Sequence, residues 1–413
     1  MVFGKADRIA AWLRTLCSLG MVSLCLAAPR IAIGEEPRLS QEVHEQLVAV
    51  QELIQNEQHQ QALTQLQTLA ADTSLSPYET ALVRQTLGYA HAGLEQYDQA
   101  VRAFQQCLAG GALSPDNTQI VRYNLAQMLM SAERYEEGAR TLETWLANEE
   151  NPRPQARVFL AQAYIELKRY ARAEQNIQQA IDATTTFHEA WYQMLIVVQI
   201  EQEKFSQAAS ALQQLLGQYP QKKTYWQQLS QLYSQEERHK RAVAALAMAY
   251  KLGLLNEREA VQVVQYYLHL GMPYKAANLL MDGLEKKVVQ DVETNRELLV
   301  TCWLHARESQ RALDILEQLA ARAQTGKIDL RRAEILAQLE RWQEVATTVS
   351  EGLRKGGLTN TGKAFMLLGI AEYRSGNLDE SRTAFTKATS HRASAKQARQ
   401  WLRLIEQEMA KQQ

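Results

Sequence analysis

The sequence predicts an all-α solenoid of about ten stacked helix hairpins, and three observations predict it. In Tyr225 to Tyr250, YWQQLSQLYSQEERHKRAVAALAMAY, residues Trp226, Leu229, Ser230 and Tyr233 stand at offsets 0, 3, 4 and 7. That spacing is one face of one helix. Ala242, Leu246 and Ala249 follow on one face of a second helix. The small residues Ser230 and Ala242 are expected to let the two backbones approach, with Trp226 and Leu246 filling the space around them. The third observation is recurrence. The position of Ala242 repeats as Ala62, Ala100, Gly138, Ala173, Ala208, Ala242, Ala277, Ala312, Val345 and Ser381. Their spacings are 38, 38, 35, 35, 34, 35, 35, 33 and 36. A hairpin this small cannot bury its own apolar face, so neighbours must stack on it.

This arrangement resembles the tetratricopeptide repeat, W-x2-L-G-x2-Y…A-x3-F, with Ser230 in place of Gly and Leu246 in place of Phe. The resemblance implies a right-handed superhelix whose concave wall is lined by the first helix of each hairpin.

Each repeat is justified by its own residues. Leu87-Gly88 with Ala100 and Phe104 marks the second, and Leu160-Ala161-x2-Tyr164 with Ala173 and Ile177 the fourth. Pro220 closes the fifth, because the residue before a proline leaves the helix. Leu368-Gly369 with Phe385 marks the tenth. Asp72 to Pro77 and Gly110 to Pro115 are the turn-rich segments that fill the two 38-residue spacings. Gly271-Met272-Pro273 is expected to lengthen the turn inside the seventh hairpin by one residue. Tyr97, Tyr135, Tyr170, Phe205, Tyr274 and Trp342 lie three before the small residue and read as core rings at the inter-helix turn. The eighth and ninth repeats are the poorest, with Arg332 where Leu is usual; a bend or weak packing is expected near Gly326. Residues 391–413 read as a capping helix, with Ala398, Trp401, Leu402 and Ile405 inside and Lys396, Arg399 and Arg403 outside.

Residues 1–34 read as a secretory signal: Lys5, Arg8 and Arg14 precede an apolar run from Thr15 to Ala28. Ala32-Ile33-Gly34 offers small residues before cleavage, expected after Gly34, and the apolar run is short of the roughly 20 residues that span a bilayer. The expected location is therefore the periplasm, and residues 35–390 form the array. Without the leader the net charge is about −4, which draws the protein neither to nucleic acid nor to an anionic membrane surface. Cys107 and Cys302 lie in different repeats and read as buried hydrophobes rather than a bridge.

Chemistry is hard to place on this chain. It has no Gly-rich phosphate loop, no H-E-x-x-H, no paired C-x-x-C and no G-x-S-x-G. His269 and His305 end successive first helices, but no third metal ligand accompanies them. No enzyme activity, metal or cofactor is expected. Binding is what a repeat groove offers. Carrying over the groove positions of the repeat, Gln127, Gln162, Gln231 and Gln265 stand nine into the first helix, and Tyr123, Gln193 and Gln227 five into it. Tyr89 and Tyr373 fall on the same wall near its ends. Amides offer donors and acceptors to an extended backbone without fixing a charge. The other account of these residues is that glutamine is common on every surface of this chain, including Gln58, Gln60 and Gln61.

Over nearly all of its length after the leader, the chain also resembles a narrower family. These are exported bacterial repeat proteins associated with the TonB–ExbB–ExbD (Exb/Tol-type) energy-transduction systems. Tyr135 to Gln155 (YEEGARTLETWLANEENPRPQ), Tyr192 to Pro220 and Leu270 to Leu284 (LGMPYKAANLLMDGL) carry the likeness. Gly356-Gly357-Leu358 and Ala398 to Arg403 add to it, while Ser381 and the ninth repeat depart from it. The resemblance implies a non-catalytic periplasmic scaffold that meets the periplasmic parts of TonB, ExbD or an ExbB-like protein, with peripheral association at the envelope. The alternative is a scaffold for envelope assembly: outer-membrane protein, cell-wall or polysaccharide machinery.

Overall fold

A computed structural model describes residues 39–412, so the expected leader lies outside the described residues. Among these, 21 α-helices and no strand are present, and they divide into two compact units at Ala183/Thr184. The first unit holds four hairpins: α1 (Gln41–Gln55) with α2 (His59–Ala70), α3 (Pro77–Gly93) with α4 (Tyr97–Ala109), α5 (Pro115–Ser131) with α6 (Tyr135–Ala147), and α7 (Pro154–Glu166) with α8 (Tyr170–Asp182). The second unit begins with α9 (Glu189–Glu201) and α10 (Phe205–Gln218), α11 (Lys223–Gln235) and α12 (His239–Lys251), then α13 (Glu257–His269) and α14 (Pro273–Glu285). It continues with α15 (Glu293–His305) and α16 (Ser309–Arg322), α17 (Lys327–Gln338) and α18 (Trp342–Lys355), α19 (Thr361–Arg374) and α20 (Leu378–Thr389), and ends on α21 (Ala395–Gln412).

Inside each hairpin the turn is three residues long, and its middle residue has a left-handed backbone: Glu57, Glu95, Glu133, Lys168, Glu203, Glu237, Gly271, Arg307, Glu340 and Gly376, with φ between 56° and 85°. The residue after it donates its N–H five residues back, as in Arg238 N–H to Tyr233 C=O at 2.8 Å. This is the Schellman closure, which satisfies carbonyls that the helix end leaves free. The small residue of the second helix always lies five after the left-handed one. By that rule the seventh hairpin is registered on Ala276, not Ala277, and its turn is no longer than the others. Both alanines are fully buried, so composition alone could not choose between them.

The core repeats the same contacts. Small residues sit where helices cross, as at Ala100, Ala173 and Ala242, all fully buried. Ser381 is fully buried too, and its hydroxyl donates to the Gly369 carbonyl at 2.8 Å, which removes the penalty of an unpaired polar group. At Tyr225 to Tyr250 the structure corrects one assignment. Tyr225 is the buried ring, while Trp226 and Leu246 are only half-buried, and Trp226 Nε1 donates to the Pro220 carbonyl at 2.8 Å. Five of the six turn aromatics are likewise half-buried, Tyr97 and Trp342 packing against the core from its edge, while Tyr274 is 48% exposed. The register explains Tyr274: it stands two before Ala276, one residue past the ring position, which Pro273 occupies.

The poor repeats are fastened rather than loose. Asp329, 1% exposed in its side chain, accepts from Lys355 Nζ at 2.8 Å, and the same ammonium donates to the Ala320 carbonyl at 2.7 Å. This joins α16, α17 and α18. Gly326 N–H meets the Gly356 carbonyl at 2.9 Å, and a Cβ on Gly326 would lie 2.0 Å from the Gly352 oxygen. Arg332 keeps a mostly buried side chain at its leucine position and pairs at its tip with the exposed Glu317 at 2.8 Å. At the end of the second unit, α21 buries Ala398 and Ile405, and Trp401 stacks on Phe385 at 5.4 Å between ring centres.

Candidate functional site

The candidate interface is the face made by the first helix of each hairpin. In the first unit it carries two of the expected tyrosines. Tyr89 of α3 accepts from Gln85 Nε2 at 3.1 Å and from Asn124 Nδ2 of α5 at 2.8 Å. Its hydroxyl therefore ties successive first helices together, and burial raises its pKa above the ordinary phenol value. Tyr123 of α5 belongs to an aromatic cluster, with ring centres 5.0 Å from Trp145 and 6.3 Å from Phe159. Burial raises its pKa as well. Phe159 was not among the expected residues, although an aromatic one repeat after Tyr123 is the signal that points to it.

In the second unit two expected amides are already engaged. Gln193 of α9 donates to the Tyr225 hydroxyl at 2.6 Å and to Glu189 at 3.2 Å. Gln227 of α11 donates to Glu259 of α13 at 3.2 Å. Both carboxylates also hold a lysine: Glu189 pairs with Lys222, and Glu259 with Lys223 at 3.0 Å. Burial opposes ionisation of Glu189, but hydrogen bonds from Lys222 and Tyr225 win and hold its pKa below the ordinary value. Glu259 is held down in the same way, against burial, by the Asn256 N–H and Lys223.

These contacts belong to a ladder that single-residue reasoning did not find. Glu257 of α13 accepts from Asn295 of α15 at 3.2 Å, and Glu297 of α15 faces Arg331 of α17 at 3.8 Å. Glu334 of α17 pairs with Lys363 of α19, and Tyr373 of α19 donates to Glu408 of α21 at 3.0 Å. Every successive pair of first helices in this unit is thus crosslinked, with α21 as the last rung. The partners are separated by about one repeat in sequence, so opposite charges one period apart are the signal. An exposed pair contributes only about 0–1 kcal/mol. The larger effect of these rungs is to fix the side chains that form them in place.

Four of the expected amides remain uncommitted. Gln127 and Gln162 are half-buried on successive first helices α5 and α7; Gln231 and Gln265 are exposed on successive first helices α11 and α13. None of the four has a side-chain hydrogen bond to another described residue. Each presents a donor and an acceptor from a helix held rigid by its neighbours. Such a pair, in either unit, suits an extended chain, whose own N–H and C=O groups alternate. Among the described residues no cluster of His, Cys, Asp and Glu could hold a metal ion, and no helix is long and apolar enough to cross a membrane. Cys107 and Cys302 are fully buried free thiols, and burial pushes them up to about 11 and about 12. Thiols so protonated are inert.

Residues 86–148, 123–186 and 194–253 match the tetratricopeptide repeat family. No curated protein matches the chain. Among solved structures, it is similar to a tetratricopeptide repeat protein from Parabacteroides merdae, with 16% identity over 64% of this chain and 99% of that one and a TM-score of 0.39. The C-terminal part of a repeat-containing protein from Cytophaga hutchinsonii shares 14% identity over 61% of this chain and 98% of that one, at a TM-score of 0.41. MamA from Desulfovibrio magneticus shares 18% over 45% and 99%, at 0.38.

Proposed function

We propose that this chain, a tetratricopeptide-repeat protein, is a periplasmic scaffold that holds an extended segment of a TonB-system protein against its first-helix faces. Repeats of this kind mediate protein–protein contact without catalysis. The observation that carries the reading is two uncommitted pairs, Gln127 with Gln162 in the first unit and Gln231 with Gln265 in the second, each pair on successive first helices of its own unit. Amides, carrying no charge, favour a backbone over a phosphate, a nucleic acid or a terminal carboxylate. The likeness of Tyr135–Gln155 and Leu270–Leu284 to exported proteins of TonB–ExbB–ExbD systems supplies the partner class: the periplasmic parts of TonB, ExbD or an ExbB-like protein. The protein would then position those parts while the energised complex powers outer-membrane uptake.

In-cell crosslinking under iron limitation tests the partner. Capture of a TonB-system component supports the proposal, and capture of outer-membrane or cell-wall assembly factors instead would reassign it. Lysine at Gln162, Gln231 and Gln265 together tests the surface. Partner capture should fall by about tenfold or more while helicity stays unchanged and the melting temperature moves little, since Gln231 and Gln265 are exposed and a lysine at the half-buried Gln162 can extend its ammonium to solvent. Undiminished capture by the folded variant would remove the first-helix face from the mechanism.

A further inference from the structure

The first and last described helices expose stripes of opposite charge. On α1, Glu42, Glu45 and Glu52 are exposed on the side away from the buried Val43, Leu47 and Val50. On α21, Lys396, Arg399 and Arg403 are exposed on the side away from Ala398 and Ile405, with the single acid Glu406 beside them, so the stripe is net basic. None of these six side chains forms an ion pair with another described residue, unlike Glu189, Glu259 and Glu334 of the first helices α9, α13 and α17. Each stripe also carries an apolar residue open to solvent, Val48 at 40% and Leu404 at 39%. The spacing agrees: Glu45 and Glu52 are seven residues apart, as are Lys396 and Arg403, so both rows advance about 10.5 Å in two turns.

We propose that the chain associates with a second copy of itself, the acidic stripe of α1 in one molecule lying on the basic stripe of α21 in another. In a stack of hairpins each inner helix is packed between repeats, whereas among the described residues α1 and α21 each meet a repeat on one side only. Two different faces meeting make a heterologous contact, which leaves one free stripe of each sign on the pair and can therefore recruit further copies. Complementary charge sets orientation and encounter rate, and Val48 and Leu404 add the apolar contact that charges alone do not supply. The inference stands apart from the proposed periplasmic role, because it uses neither the amide pairs nor any partner.

Sedimentation velocity on the full chain across a concentration series is the test. The weight-average mass should rise with concentration, and raising salt from about 50 to about 500 mM should weaken association roughly tenfold, because exposed charges are screened. Glu45→Lys with Glu52→Lys, or Arg399→Glu with Arg403→Glu, should each weaken it by about tenfold or more. An equimolar mixture of the two variants, or one chain carrying all four changes, should recover wild-type association. A monomer at every concentration overturns the proposal. Association that neither reversal moves, or that the fourfold change fails to restore, overturns it too.

Discussion

The ring of Phe104 occupies the space that a side chain on Gly88 would need, since a Cβ there would stand 2.4 Å from Phe104 Cε1. Gly369 and Phe385 repeat the relation at 2.8 Å. At the same two register positions other hairpins trade size: Ala126 with Leu142, Ala161 with Ile177, Ser230 with Leu246. A glycine is present only where its partner is phenylalanine. Gly88→Ala should therefore destabilise by about 1–3 kcal/mol through overpacking. Adding Phe104→Leu should return part of that loss, as read by denaturant midpoint. If the double variant is no more stable than Gly88→Ala, size complementarity is not what links the two sites.

The hairpin turns predict a pair of opposite effects. Glu237 holds φ 57° and Gly271 φ 66°, and no atom lies within 4 Å of a Cβ built on Gly271. Steric contact is thus absent, and only the left-handed backbone matters. Gly271→Ala should lose about 1 kcal/mol, while Glu237→Gly should gain somewhat less than that, because glycine also enlarges the unfolded ensemble. Melting temperatures that move in the same direction for both would contradict the backbone argument.

Acid should release α1 from α3. Glu79 of α3 accepts from both Oγ and N–H of Ser40 at 2.6 and 2.9 Å, and from the Ser76 N–H at 2.8 Å. These bonds, the Ser40 hydroxyl first, lower its pKa from 4.5 to about 2. A depressed carboxylate contributes stability that is fully present above its unfolded value near 4.5 and is lost as pH falls through 2. Hydrogen exchange of the α1 amides should therefore accelerate over that interval in the wild type. In Glu79→Gln it should start fast and change less; equal pH profiles for the two proteins would refute the assignment.

The clamp at Lys355 gives a test of the weakest-looking repeats. Asp329→Ala removes one member of a buried pair and leaves the ammonium with only the Ala320 carbonyl, so a loss of about 2–4 kcal/mol is expected. Asp329→Leu combined with Lys355→Met should lose less, because no charge is stranded. Denaturation followed by the near-ultraviolet signal of Trp342 and Trp303 reads both.

The fold was legible in the sequence because its signal is repeated. A small residue at nearly constant spacing, at nine of ten positions with Val345 the tenth, survives the loss of any one motif residue. What escaped was set by backbone or by distant partners. Ala276 and Ala277 are the same residue type, and only the left-handed turn five residues upstream tells them apart; that turn is occupied by Glu, Lys, Arg or Gly alike. The fit of Asp329 to Lys355 depends on three helix ends meeting, which no local pattern encodes. At the candidate site, residue type and register located the glutamines, but whether each is free depends on a carboxylate one repeat away. Gln227 has Glu259 within reach, and Gln231, four residues on, has no such partner.

The constant three-residue turn inside every hairpin and the four to seven residues between hairpins amount to two kinds of joint. The inner one is hydrogen-bonded at fixed length, so an added or deleted residue there would rotate the second helix by about 100° and carry its apolar stripe out of the stack. The outer one already varies. Natural length changes, purification tags and inserted sensor domains should accordingly be accepted at joints such as residues 71–76 and 286–292 and rejected at residues 236–238. The array is a modular frame with marked places where it can be opened.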